Sequence, residues 1–217
     1  MKKYKLVIFD LDGTLADTSP GIYNSIRYTQ QRMLLPAIST EQMRSFIGPL
    51  SRDSYHRCFH LSGEQLDAAL SFHKEYAMNR GYRELTFYDG IPRLLGLLRD
   101  EGMQTAVATL KAHTTAVKIL ETFGMMNTFD VVAGTDNYHP VTKAQLLEHC
   151  MESLSVSEKD AVLIGDSTFD ALGAAQAGID FIAVTYGFGF RNAADAEGYS
   201  CIAVCDSPDE LEHILLL

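Results

Sequence analysis

Lys5-Leu-Val-Ile-Phe-Asp10-Leu-Asp12-Gly13-Thr14-Leu-Ala-Asp17-Thr18 is the stretch that decides the fold. Leu6 to Phe9 is an unbroken apolar run rich in β-branched and aromatic side chains. That composition predicts a strand buried on both faces, as in a parallel sheet. Asp10 and Asp12 stand where the run ends. Two residues apart on extended chain they face the same side, so two carboxylates share one small volume. Gly13 then allows a tight turn and close approach of the backbone to a ligand. Apolar strand, paired acids and a glycine break make the pattern of a catalytic edge.

The same grammar returns in Val162-Leu-Ile-Gly165-Asp166-Ser167-Thr168-Phe169-Asp170. Asp166 is predicted at a strand tip and Asp170 about one turn into the next helix. Read alone, Ser or Thr here is an N-cap and Asp170 sits favourably by the helix dipole. Read with the first stretch, four carboxylates converge. At an effective dielectric near 20, each close pair repels by roughly 4 kcal/mol at ~4 Å. Such a cluster needs protonation or a cation. An all-oxygen set without His or Cys selects a hard cation, and Mg²⁺ is the one expected. The metal set read from the sequence is therefore Asp10, Asp12, Asp166 and Asp170.

Between and beyond these stretches the chain alternates. From Tyr88 onward, apolar runs at 104–109, 129–133, 161–164, 181–185 and, weakly, 201–204 read as strands. Helical patterns separate them, closed by Gly102, Gly124 and Gly178. Strand–helix–strand units of this length form right-handed crossovers and a parallel sheet covered on both faces. Residues 19–84 break the alternation with helical patterns and no convincing strand. The expected class is α/β: a Rossmann-like parallel sheet with helices on both faces and an inserted all-helical cap. Residues 1–17 and 86–217 would form the core domain and 18–85 the cap, over the sheet edge where open α/β sheets bind ligands.

Composition sets the outer bounds. The chain of 217 residues carries a formal net charge of −10. That balance argues against nucleic acid or an anionic membrane as partner. It leaves room for a small anionic substrate held locally by a metal. Four scattered cysteines show no zinc spacing and read as reduced thiols. No run approaches membrane-spanning length, and the four apolar residues before Asp10 are too few for a signal peptide. A cytoplasmic monomer or homodimer is expected.

The motif D-L-D-G-T-L-x-D-T resembles the first signature of the haloacid dehalogenase-type phosphohydrolases, and G-D-S-x-x-D resembles the fourth. The core similarity extends through F-Y-D-G-I-P, V-A-T-x-K, F-D-x-V-x-G and G-A-x-x-A-G, and points to the phosphoglycolate phosphatase-like branch. The resemblance implies that Asp10 attacks phosphorus, that Asp12 shuttles a proton, and that Mg²⁺ rests on Asp10, Asp166 and the Asp12 carbonyl, with Asp170 in support. It implies that Thr109, the second signature, donates to a phosphate oxygen, although Leu110 replaces the Ser or Asn of T-S-K and T-N-K relatives. Lys143 opens a predicted helix, where a cation opposes the macrodipole unless an anion is near. The resemblance makes it the bridge between nucleophile and phosphate, with Lys111 an auxiliary cation at the rim. Phe46-Ile-Gly48-Pro49-Leu50 is similar to the family's specificity loop, which makes Gly48 and Arg52 candidates to face the substrate, a small phosphorylated metabolite.

Other readings share the same edge. A β-phosphoglucomutase-like phosphomutase or a 5′-nucleotidase or pyrophosphatase would use these acids too. A phosphonatase would need a Schiff-base lysine, for which only Lys74 lies in the cap region. A non-catalytic binding module would retain an acidic cluster at a cost in stability with no use for it. Gly187-Phe-Gly189 lacks the dinucleotide fingerprint and reads as a loop. The small-residue run Gly173 to Gly178 reads as close packing.

Overall fold

Strand β1 (Leu6–Phe9) forms because four consecutive apolar residues find apolar cover on both sides. All four are fully buried, each gaining about 1.5–3 kcal/mol over exposure. The computed structural model of the chain describes residues 4–136 and 141–216. Pro140, part of the stretch that introduces Lys143, lies outside them. After β1 the chain passes through the two-residue strand β2 (Ala16–Asp17), and it returns after the insertion through β3 (Thr86–Phe87).

The chain divides into two compact units, one of residues up to Asp17 and from Phe87 onward, the other Thr18–Thr86. In the first unit, β4 (Gln104–Ala112), β5 (Val131–Thr135), β6 (Ala161–Gly165), β7 (Asp180–Val184) and β8 (Ala203–Cys205) join β1. The order is β5-β4-β1-β6-β7-β8 and the pairs are parallel. Leu6 lies opposite Gln104 on one side and Ala161 on the other. On one face Leu6, Ile8, Ala106, Ala108, Leu163, Phe181 and Ala183 pack with Leu147, Cys150, Ala171 and Ala174. Val7, Phe9, Val107, Val162 and Ile164 alternate to the other face and are equally buried. The sheet is therefore covered twice, as the continuous apolar runs predict.

The bounds expected for β6, β7 and β8 shift by one or two residues, and β4 and β5 differ for reasons the structure shows. The strand beginning at Gln104 does not stop at Thr109 but runs to Ala112, with a register shift between Ala108 and Ala112. The shift admits polar residues that the apolar pattern excluded. The strand expected at 129–133 is Val131–Thr135, because Phe129 first closes a short 3₁₀ turn, Met126–Thr128.

The second unit holds α1 (Ser19–Met33), α2 (Thr40–Arg44), α3 (Ser51–Phe59) and α4 (Gly63–Asn79). Thr18 occupies the N-cap position of α1, and Pro20 lies in the helix's first turn. Ser39 and Gln42 form a reciprocal capping box on α2. Ile26, Met43, Phe46, Tyr55, Leu61, Leu66 and Ala69 make this unit's own core. The Tyr55 hydroxyl meets His73 Nδ1 at 3.0 Å, so the ring's polar end is satisfied inside it.

Returning to the first unit, α5 (Ile91–Asp100), α6 (His113–Thr122), α7 (Lys143–Leu154), α8 (Thr168–Ala177), the short α9 (Ala193–Ala196) and α10 (Pro208–Leu216) complete the chain. Among the described residues no helix is long and apolar enough to cross a membrane.

Candidate active site

Asp10 follows β1 directly, its amide donating to the Ile164 carbonyl at 2.9 Å. Asp166 follows β6, the neighbouring strand, so parallel pairing alone brings the two acids to one edge. Asp170 enters from α8. Ser167 caps that helix: its hydroxyl accepts from the Asp170 amide, while Asp170 Oδ2 accepts from the Ser167 amide and hydroxyl at 3.1 and 2.6 Å. The capping role and the cluster role thus coexist in one residue. Oxygens of Asp10, Asp166 and Asp170 lie within 4.8 Å of one another, and all three side chains are buried.

Lys143 supplies the counter-charge. It is the first residue of α7, inside a capping box of Thr142 and Gln145. The side chain is only 4% exposed, and its Nζ lies 2.7 Å from Asp10 Oδ1 and 2.6 Å from Asp170 Oδ1. It also donates to the Ala108 carbonyl at 2.6 Å. The anion that a lysine in a first helical turn requires is therefore present twice over. Burial opposes its charge, but attraction to Asp10 and Asp170 wins and holds the ammonium above its ordinary pKa. A Cβ at Gly173 would meet Lys143 Cγ at 2.5 Å and Cβ at 2.6 Å. The small-residue face of α8 is what lets the lysine stem pass.

One cation does not balance three buried carboxylates. Burial first, and then the charges of Asp170 and Asp12, push Asp10 up to about 7 despite Lys143. Burial, Asp170 and Asp10 push Asp166 up to about 8, against two hydrogen bonds from Phe188 and Gly189 amides. Asp10 and Asp166 each keep one oxygen clear of the hydrogen bonds just described; Asp170 has both engaged. An all-oxygen set with excess negative charge and two free oxygens fits a hard divalent cation.

The expectation of four converging carboxylates holds for three. The Asp12 carboxylate stands outside the trio although its charge reaches Asp10, and its Oδ2 accepts from Lys111 Nζ at 2.9 Å in a largely buried ion pair. Lys111 reaches it because β4 continues past Thr109 through the register shift. Thr135 donates to the Leu110 carbonyl at 3.2 Å and helps to hold that extension. Thr109 is buried, and its hydroxyl accepts from the Lys111 amide at 3.2 Å. Gly13 adopts φ +85°, and a Cβ there would meet Asp166 Oδ2 at 2.3 Å. This is the close approach the glycine was expected to allow.

In the second unit, Gly48 has φ +99°, and Arg52 is exposed and paired with Asp67 at 2.9 Å. The sequence reading missed the Phe188 and Gly189 amides on Asp166 Oδ2, at 2.6 and 3.1 Å. Main-chain donors carry no side-chain signal, and the two glycines around Phe188 were the only trace.

A family described as haloacid dehalogenase-like hydrolase matches residues 7–184. Tyrosine-protein kinase PtkA of Mycobacterium tuberculosis is 34% identical over 213 residues, covering 97% of this chain and 72% of that protein. Phosphoglycolate phosphatase of Chromobacterium violaceum is 30% identical over 206 residues, 91% of this chain and 92% of that one. A crystal structure of a predicted phosphatase from Clostridium acetobutylicum aligns with a TM-score of 0.91 at 32% identity, over 99% of both chains.

Proposed function

The chain belongs to the haloacid dehalogenase-like hydrolases, and from that premise we propose that it is a Mg²⁺-dependent phosphatase of small phosphate monoesters, phosphoglycolate phosphatase-like. One observation carries the reading: Lys143 bridging Asp10 and Asp170 inside a buried acidic trio. A lysine so placed favours the ionised form of Asp10 against its burial and sets an electropositive point beside it, which a nucleophile toward phosphorus needs.

In this reading Asp10 attacks phosphorus in line, forming an aspartyl-phosphate as the P–O bond to the alcohol breaks. Asp12 gives the leaving oxygen its proton, then removes one from the water that cleaves the intermediate. Lys143 and the Thr109 hydroxyl hold equatorial oxygens, and Lys111, released from Asp12, adds a second positive contact. Asp10 and Asp166 would hold Mg²⁺, with Asp170 behind them. When bound, the cation offsets the trio's charge and polarises the phosphoryl group. Residues 18–86 act as the cap that selects the leaving group, with Gly48 and Arg52 as its candidate contacts.

Two relatives carry names as different as kinase and phosphatase, so the acceptor is read by assay. Mg²⁺-dependent release of p-nitrophenol from p-nitrophenyl phosphate is expected, and Asp10→Asn should abolish it. A panel of 2-phosphoglycolate, nucleoside monophosphates, sugar phosphates and pyrophosphate then ranks substrates. Phosphate returned to glucose 1-phosphate in place of water would make the protein a mutase. Hydrolysis unaffected by Asp10→Asn would end the proposal.

A further inference from the structure

We propose that Tyr186–Phe190, a loop following β7, is the positioning element that aims Asp166 at its cation; this rests on the reading of Asp166 as a cation ligand. The loop touches that residue at three points. Phe188 and Gly189 amides both donate to Oδ2, at 2.6 and 3.1 Å, and the Phe190 amide donates to the Asp166 carbonyl at 2.7 Å. Two donors converging on one carboxylate oxygen fix the rotamer and leave Oδ1 as the oxygen free to ligate.

The fit is tight enough to exclude side chains. A Cβ at Gly187 would lie 2.3 Å from the Gly13 carbonyl oxygen and 2.4 Å from Asp166 Oδ2. One at Gly189 would lie 2.5 Å from the Asp166 carbonyl oxygen. Backbone sits on the other side of the tightest contact at each glycine, so a methyl group there displaces the loop. Tyr186 anchors the near end: its hydroxyl donates to the Thr14 carbonyl at 3.0 Å, and its ring packs edge-on against Tyr88 at 4.8 Å between centroids. The loop therefore ties the turn after Asp12 to the acid after β6. Gly187-Phe-Gly189 is a clamp made of main chain.

The test is calorimetric titration of the substrate-free protein with Mg²⁺, beside kcat measured over a range of Mg²⁺. Gly187→Ala is expected to weaken Mg²⁺ binding about 10- to 100-fold, with kcat recovering to within about threefold of wild type at saturating Mg²⁺. Tyr186→Phe, which keeps the ring, should show a smaller loss in the same direction. Gly96→Ala, where a Cβ meets nothing within 4 Å, is the control and should bind as wild type. Circular dichroism and metal-free melting establish folding; should Gly187→Ala unfold, Tyr186→Phe carries the test. Folded variants that bind Mg²⁺ like wild type would overturn the proposal and leave the phosphatase reading intact. A wild-type protein that binds no Mg²⁺, with hydrolysis unchanged in Asp166→Asn, would overturn both.

Discussion

At the scale of the residue, the site is a problem of one lysine and three carboxylates. Lys143 is held on three sides by acceptors, and its stem has the width of Gly173 in which to pass. Gly173→Ala is expected to push the ammonium off Asp10, lowering kcat at least about tenfold with little change in KM, because the contact matters most as charge develops. Overpacking of this kind costs about 1–3 kcal/mol, which melting curves will register separately. An unchanged kcat would mean that the lysine tolerates the methyl group and reaches Asp10 regardless. Asp10, Asp166, Asp170 and Lys143 were legible because each stands at a strand end or helix start, where position follows from local pattern. The Lys111–Asp12 pair was not, because it depends on a register shift between β4 and β5 that no apolar pattern encodes.

At the scale of the element, helix starts do more than begin helices. Thr142 and Gln145 close a capping box around Lys143, and Ser167 closes another with Asp170 of the trio. Thr142→Ala removes one reciprocal pair and should cost about 1 kcal/mol of stability. The lysine is the next residue, so the first turn of α7 frays where the site needs it rigid, and kcat should fall with Tm. A stability loss with full activity would show that Lys143 is fixed by its acceptors alone. The element boundaries legible in the sequence were those with capping chemistry or a closing glycine, such as Ser167 and Gly178. The four-residue α9 and the two-residue strands escaped because so few residues carry no period.

At the scale of the whole molecule, the buried acids link stability to pH and to cation. Asp10 and Asp166 bind protons more tightly folded than unfolded. Above their ordinary value near 4 the unfolded chain loses protons that the folded chain keeps. Stability of the metal-free protein should therefore fall as pH rises from about 5 toward 8, where the folded pair ionises in turn. Mg²⁺ competes with those protons, so it should raise Tm more at pH 8 than at pH 5. Equal shifts at both pH values, measured by scanning calorimetry, would contradict this linkage. The strand order has a consequence of another kind. β1 finds its two neighbours only at Gln104 and Ala161, so during synthesis the strand that leads to Asp10 leaves the ribosome long before either exists. A fully apolar segment must wait, unpaired, for most of the chain to be made, and through that interval aggregation competes with folding.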